Sequence, residues 1–504
     1  MGIVSRAAGA DDLRDTAGLR RLFDRQRTAF AAERFPPLTV RRERIARLAA
    51  TVTRHGGELA AAIDRDFGHR PQQETRLAEL YVVAAECRRT RTHLARWMRP
   101  KRVATPLHLA PGSAWVMPQP KGVAGIVSPW NYPVQLALAP AVAALAAGNR
   151  VMLKPSELTP ATSTLLRDLV AASFAEDEFA VVLGDAEAGA AFTALPFDHL
   201  FFTGSTAVGR KVALAAAANL TPVTLELGGK SPALFDETAD FDVAVPRLLA
   251  GKLLNAGQTC IAPDYALVPA GRVEAFEAAI GRAIVRMYPD ALANRDYASI
   301  VNAGHYARLE ALVDDARTRG ARIVTFDDAH VSDARADAHG MARGDAHTGA
   351  AAPGGLPRRF PPTLVVGVDN GMAIMREEIF GPLLPVEPYA SLDDAIARIN
   401  ARPHPLALYW FGADRARRNR MLEETLAGGV TLDDTLWHFI HDGLPFGGVG
   451  ASGTGVYHGE HGFTTFSHVK PVFRQARIAA GSLLYPPYGR RFERVLAWLS
   501  RLTA

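Results

Sequence analysis

The sequence predicts an α/β fold in which a parallel-sheet unit is followed by a second α/β unit, and three observations carry that prediction. Short apolar runs at residues 122–128, 150–154, 180–183, 199–202 and 222–226 alternate with helical patterns. That order yields parallel βαβ units. Conspicuous polar stretches, Trp130-Asn131-Tyr132-Pro133, Lys154-Pro-Ser156-Glu157, Phe202-Thr-Gly204-Ser205 and Glu226, each follow or end such a run, which is where open sheets of this kind bind ligands. The length of 504 residues exceeds one ordinary core and calls for two or three domains.

Taken in order, residues 1–18 lack strong periodicity and are expected to form a loose arm. Ile45, Leu48, Val52, Leu59, Ile63 and Phe67 recur at three, four and seven, the stripe of amphipathic helices that pack on a sheet. Cys87 falls in phase with Leu77, Leu80, Ala84, Leu94 and Met98, so it reads as core. Residues 102–120 are extended and punctuated by proline, which predicts a protruding hairpin. The parallel unit follows. A second α/β pattern runs over residues 229–451, with helices expected at 272–288 and 306–318 and a strand at 362–366.

Within that second unit, residues 327–359 are rich in Ala, Asp, Gly and His, and Asp-Ala-His recurs at 328, 337 and 345. The spacing fixes no ligand geometry, and a mobile surface insertion is the expected structure. In the tail, residues 469–504, Tyr485-Pro-Pro-Tyr488 precedes Phe492, Val495, Leu496, Trp498 and Leu499. That spacing predicts a short amphipathic helix in the core or at an interface.

Composition narrows the function classes. Apolar residues make up 48%, enough for large cores, yet no uncharged apolar run reaches 18 residues, so no membrane span is expected. Charges near the N-terminus interrupt any secretory apolar segment, and a cytoplasmic protein is the expectation. Two cysteines make no disulfide framework. The net charge of +5 is spread along the chain without a basic tail, which argues against a nucleic-acid partner.

The chemistry concentrates between Glu226-Leu-Gly-Gly-Lys-Ser and Asn255-Ala-Gly-Gln-Thr-Cys260. A thiol that attacks a carbonyl acts as thiolate, and the resulting intermediate needs a base to activate water. Glu226 is the candidate base, and Gly228-Gly229 beside it permits close approach of backbone or ligand. Asn131 is a candidate donor to the oxyanion that such an attack generates; a helix cap or turn is its alternative. Gly204-Ser205 and Gly209 open a helix after a strand, a pattern that suits a pyrophosphate or simply a tight turn. It is neither the Gly-x-Gly-x-x-Gly fingerprint nor a phosphate-binding loop with Lys-Ser/Thr, since Arg210-Lys211 stands there. Lys154 and Glu157 suit ribose hydroxyls, the carboxylate favouring a 2′-hydroxyl over a 2′-phosphate. The histidines of His438-Phe-Ile-His441 and His458-Gly-Glu-His461 invite a zinc reading that we reject; no metal is expected.

Glu226-Leu-Gly-Gly-Lys-Ser and Gly257-Gln-Thr-Cys260, in that order and spacing, resemble the aldehyde dehydrogenase superfamily, and Ile261-Ala-Pro-Asp-Tyr265 is similar to its dimeric class 3 branch. Pro129-Trp130-Asn131-Tyr-Pro133 and Glu377-Glu378-Ile-Phe380-Gly-Pro382 match further family segments, and Tyr457-His-Gly459 matches class 3 positions that are structural. Asp433-Asp-Thr-Leu followed by Asp442-Gly-Leu-Pro-Phe-Gly-Gly is most similar to the coniferyl aldehyde dehydrogenase group.

The resemblance implies a Rossmann-like NAD(P)-binding domain over residues 19–228, with an oligomerisation hairpin at 102–120 inserted in it. A catalytic domain over 229–451 and a bridging and oligomerisation segment over 452–504 complete the organisation. It implies a homodimer that oxidises an aromatic or medium-chain apolar aldehyde with NAD, NADP being admitted too. Cys260 is then the nucleophile, Glu226 the deacylation base and Asn131 the oxyanion donor. Trp130, Lys154, Ser156, Glu157, Gly204, Ser205, Gly209, Glu378 and Phe380 line the cofactor, Glu378 at the nicotinamide ribose and Phe380 at the ring. The rival expectations are a cofactor-independent cysteine hydrolase and a non-catalytic binding relative.

Overall fold

The predicted helical stripe divides into two helices, Leu38–Arg54 and Gly56–Phe67, and all six of its apolar residues are buried. The second helix stops at Gly68, whose φ of +74° is readily adopted only without a β-carbon. In this computed structural model the described residues are 16–327, 330–334, 356–478 and 480–503.

A single run of chain then forms Gln72–Thr75, a π-helical turn at Arg76–Tyr81 and the helix Val82–Trp97. Cys87 is fully buried, as its phase predicts. Leu77 departs from that phase: it is 61% exposed. The π turn explains the departure, because its wider i→i+5 closure rotates Leu77, near its start, away from the face that follows.

Along the chain the hairpin strands are β1 (Lys101–Val103) and β2 (Ser113–Pro120). The parallel unit supplies β3 (Val123–Val127), β4 (Arg150–Lys154), β5 (Phe179–Val181), β6 (His199–Thr203) and β7 (Val223–Glu226). Next come β8 (Pro232–Phe235), β9 (Tyr265–Pro269), β10 (Arg322–Asp327), β11 (His330–Ala334) and β12 (Thr363–Val366). β13 (Leu383–Tyr389), β14 (Ala407–Phe411), β15 (Gly429–Leu432), β16 (Gly453–Thr454) and β17 (Ser467–Arg474) complete the set.

These strands make three sheets among the described residues. The first runs β16-β7-β6-β3-β4-β5, parallel except for β16, which pairs antiparallel with β7 at Gly453 opposite Glu226. The second runs β11-β10-β12-β13-β9-β8-β14-β15 and is parallel from β12 through β15. Continuous apolar runs suit these strands because helices cover both faces of such sheets. The helix Gln135–Ala147, between β3 and β4, is buried along its whole length. The hairpin is joined by β17 from far along the chain, giving a small antiparallel sheet β1-β2-β17.

Three expectations are corrected. Thr16–Ala32 is a helix, so residues 16–18 belong to it and not to a loose arm; residues 1–15 lie outside the described ones. The insertion is not uniformly a surface loop. His330–Ala334 pairs antiparallel with β10, and at the other end Arg358 donates through Nη2 to the Phe67 carbonyl at 2.8 Å and through Nε to the Ile300 carbonyl at 2.8 Å. Arg359 is buried, with Nε donating to the Leu292 carbonyl at 3.1 Å. Composition averages over such local pairing; residues 328–329 and 335–355 lie outside the described ones. Finally, the tail helix Arg490–Thr503 forms, but it is no core helix, since Leu496 and Trp498 are 44% and 50% exposed. It follows β17 and packs on the Ala480–Leu484 turn. No helix among the described residues is long and apolar enough to cross a membrane.

Because Cys87 sits in a closed core, Cys87→Ala removes about one methylene-sized group and should lower unfolding stability by about 1 kcal/mol. Urea denaturation checks this, and an unchanged midpoint would contradict the burial.

Candidate active site

Strand ends bring the suspected residues together. β3 leads into a turn carrying Asn131, which is 3% exposed, and β7 ends on Glu226, 2% exposed. From the other direction, the helix Phe241–Leu253 runs into Asn255, Ala256 and Gly257, all left-handed at φ of 53°, 50° and 76°. Two of them bear side chains, so this turn stores strain, about 1–3 kcal/mol for each such residue. At Gly257 a side chain has no room either, because a β-carbon would meet the Gly381 carbonyl oxygen at 2.3 Å. The turn delivers Cys260 to a cavity of about 1200 Å³ that Glu226 also lines. Although far apart in sequence, the thiol and the carboxyl share one chamber.

Hydrogen bonds fix the turn to the β3 end. Asn131 Nδ2 donates to the Gln258 carbonyl at 3.1 Å, and Asn255 Nδ2 donates to the Asn131 carbonyl at 3.0 Å. Gln258 is anchored in turn by the Val301 amide at 2.9 Å and the Ser299 carbonyl at 3.0 Å. The Tyr132 hydroxyl lies 2.6 Å from Thr259 Oγ1. The helix-cap alternative for Asn131 fails. The residue capping Gln135–Ala147 is Val134, and its amide is satisfied by Glu79 Oε2 at 2.7 Å.

The cavity wall is mostly apolar, which sets its electrostatics. Burial pushes the Cys260 thiol up to about 12, with Glu378 and then Glu226 adding to the shift. Burial alone raises Glu226 well above the ordinary carboxyl range, and neither of its oxygens has a hydrogen-bond partner among the described residues. Glu378 is raised to about 8, first by burial and then by Asp264, against the Gly229 amide, Lys230 and Arg308. Its carboxyl lies against Gly228, where a β-carbon would meet both oxygens at 2.2 Å. The close approach expected of Gly228 is therefore made by this carboxyl.

The remaining residues gather at neighbouring strand ends of the first sheet. Lys154 Nζ bonds Glu157 Oε2 at 2.9 Å just past β4. Ser156 Oγ is engaged locally, accepting from the Leu158 amide at 3.2 Å. Ser205 caps the helix Thr206–Ala217 by accepting from the Val208 amide at 3.4 Å. Gly204 and Gly209 are demanded by packing, since a β-carbon on either would stand 2.6 Å from the Phe202 ring or from Leu227. Trp130 packs edge-on against Phe380 at 5.4 Å and tilted on His305 at 4.8 Å. A dinucleotide fits this donor set: a glycine-lined helix start for phosphates, a lysine–carboxylate pair for ribose hydroxyls, and a buried Glu378 oxygen without a partner among the described residues.

Sequence reasoning missed the wall that faces Cys260. Leu77, Tyr81, Met287, Trp437, Phe439 and Ile440 line the same cavity. It also missed Arg70, Glu74 and Glu79, although buried carboxylates on an otherwise apolar helical phase would have been their signal. His438 is a buried ring whose Nδ1 lies 2.7 Å from Thr431 Oγ1 and which stacks on Phe446, so it packs within the core.

A sequence model described as "Aldehyde dehydrogenase family" matches residues 14–472. The chain is similar to the coniferyl aldehyde dehydrogenase of a Pseudomonas species, at 42% identity over 99% of this chain and 98% of that protein. Its fold is similar to the substrate-bound Staphylococcus aureus AldH, with a TM-score of 0.86, 36% identity, and 95% of this chain and 99% of that one covered. It is also similar to a Mycobacterium tuberculosis aldehyde dehydrogenase complexed with NAD+, with a TM-score of 0.76, 28% identity, and 92% and 90% coverage.

The raised Glu226 generates a stability prediction. A carboxyl whose folded pKa exceeds its unfolded value contributes stability that is complete below the unfolded value, about 4.5, and is lost as pH rises through the folded one. Each unit of separation is worth about 1.4 kcal/mol. Glu226→Gln removes this titration, so the variant should gain in melting temperature over the parent as pH is raised from 5 to 8.5. A difference independent of pH would show that the carboxyl is not desolvated.

Proposed function

The chain belongs to the aldehyde dehydrogenase family, and on that premise we propose how its own residues divide the oxidation of an aldehyde to the carboxylic acid. Cys260 Sγ releases its proton to solvent and, as thiolate, adds to the aldehyde carbon. The charge that develops on the aldehyde oxygen is met by the Asn131 side-chain amide and the Cys260 backbone N–H. NAD(P), when bound, accepts the hydride that the same carbon gives up. Glu226 takes a proton from water, the water oxygen attacks the thioester carbon, the C–S bond breaks, and the acid leaves with the thiol restored.

Lys154 and Glu157 hold the ribose hydroxyls, and Glu157 favours NAD over NADP. Gly204, Ser205 and Gly209 form the phosphate seat, and Ser156 shapes the turn beside it. Glu378 faces the nicotinamide ribose, with Phe380 and Trp130 at the ring. The observation that carries the whole reading is the single apolar cavity shared by Cys260 and Glu226.

The substrate is an aromatic aldehyde of the coniferyl type, or a medium-chain apolar one. An aromatic wall of Tyr81, Trp437 and Phe439 supports this, as does the similarity to a coniferyl aldehyde dehydrogenase. Residues 19–228 act as the cofactor domain, 229–451 as the catalytic domain and 452–504 as the bridging segment, which the membership of the two large sheets supports. The protein works as a cytoplasmic homodimer. In support, the small sheet β1-β2-β17 leaves Val103, Val469 and Phe473 exposed.

A panel of aromatic and aliphatic aldehydes with NAD or NADP, read by the absorbance of the reduced nicotinamide, should show turnover highest with coniferyl-type aldehydes and NAD. Cys260→Ala should abolish it with cofactor binding retained. Asn131→Ala should lower turnover by about 10²–10³-fold. Glu226→Gln, which keeps size but removes a base worth about 10²–10⁴-fold, should give a burst of one reduced nicotinamide per site and an acyl adduct on Cys260 by intact-mass spectrometry. Neither burst nor adduct at any pH in a folded, cofactor-binding variant would remove Glu226 from the deacylation step.

A further inference from the structure

Three buried charged side chains absent from the mechanism above lie beside Asn131 and Cys260, all from one short stretch of chain, and Glu74 also lines the cavity. Arg70 and Glu79 form an ion pair at 2.7 Å with neither side chain exposed. The same Arg70 Nη1 donates to the Asn131 carbonyl at 3.1 Å, and its guanidinium lies over the Tyr132 ring at 4.7 Å. The other oxygen of Glu79 accepts from the Val134 and Gln135 amides at 2.7 and 3.1 Å. The pair therefore grips the Asn131 turn on both sides. Glu74, one helical turn before Glu79, accepts the Asn255 amide at 3.0 Å. That bond lands on the first residue of the left-handed turn before Cys260, and the Asn255 side chain bridges back to the Asn131 carbonyl at 3.0 Å.

We propose that Arg70, Glu74 and Glu79 are positioning residues that jointly set where the Asn131 amide stands relative to the Cys260 thiol; this rests on the oxyanion role given to Asn131. Burial of an ion pair is poor value for stability, because desolvation offsets the attraction. Its use here is geometric. The bonds the pair makes beyond itself go to backbone groups of the segment that carries the donor, and that of Glu74 goes to the segment that leads to the nucleophile. The π turn at Arg76–Tyr81 supports the same reading, since such turns re-aim side chains at functional sites. Glu79 lies inside it. The turn at Asn255–Gly257 is strained and would relax without an external grip, and Glu74 supplies that grip on its first amide.

The test is a double-mutant cycle on the full chain. Arg70→Lys keeps the charge for Glu79 but, one bond shorter, withdraws the donor that Nη1 supplies to the Asn131 carbonyl; Glu74→Ala deletes the grip on Asn255; Glu74→Gln restores an acceptor oxygen of the same size. Arg70→Lys and Glu74→Ala should each lower kcat by about 10–100-fold, with KM for the aldehyde and Kd for the cofactor changed less than about twofold, because misplacement by about 1 Å penalises the chemical step and not binding. Glu74→Gln should recover most of the loss. In an Asn131→Ala background the same substitutions should lower kcat by less than about twofold, since residues acting through one group are not additive. Circular dichroism confirms folding, and Arg70→Lys carries the comparison if Glu74→Ala does not fold. Unchanged kcat in folded variants, or losses that persist in full without Asn131, overturns the proposal while the oxyanion role stands. Unchanged kcat in Asn131→Ala alone overturns both.

Discussion

The site depends on one constraint: groups whose chemistry requires charge are buried where charge is disfavoured. Desolvation leads every shift at Cys260, Glu226 and Glu378, and only at Glu378 do nearby cations, Lys230 and Arg308, act against it. A resting thiol at about 12 is inert toward adventitious electrophiles. Reactivity then has to be created at the moment of use, by whatever a bound ligand adds to the local field. Burial acts on the Glu226 carboxyl in the same sense, raising it above the ordinary carboxyl range. The apolar wall from Leu77 to Ile440 is thus part of the electrostatics as well as the surface that meets substrate.

Architecture supplies the rest. Two largely parallel sheets contribute one proposed reacting group each, Glu226 at the end of β7 and Cys260 before β9. β16 returns late in the chain to pair beside Glu226, which fixes the carboxyl-bearing strand from its open side. The strain of the Asn255–Gly257 turn fits the same pattern, because strained backbone persists only where the surroundings over-determine it.

Much of this was legible in the sequence, and the reasons differ by element. β3, β4, β6 and β7 were readable because strands buried on both faces are continuous apolar runs. β4 was located to the residue, bounded by Arg150 and Lys154. Cys260, Glu226 and Asn131 were singled out from local context and family resemblance; the fold places the first two on one cavity and bonds Asn131 to Gln258, two residues before Cys260. β11 was hidden by composition, since a biased segment averages away a short hairpin pairing. Leu77 was misread because periodicity assumes 3.6 residues per turn, and the π turn breaks the count. For Arg70, Glu74 and Glu79 the helical phase could mark burial but not the partners, Asn131, Asn255 and Val134, because no local pattern encodes a bond of that span.

The small sheet has a consequence for how the protein is made. β2 is complete at Pro120, yet its outer neighbour β17 begins at Ser467. At a synthesis rate of about 5–20 residues per second, β2 waits on the order of tens of seconds with one backbone edge unpaired. The cavity waits as long, because its walls come from residues 71–82 and 434–457. During that interval an open strand edge and an apolar half-chamber are displayed together on the ribosome, a combination that invites pairing with other nascent chains. Chaperone demand for this protein therefore falls on the growing chain more than on the finished one, and a product truncated before residue 467 carries the hazard permanently.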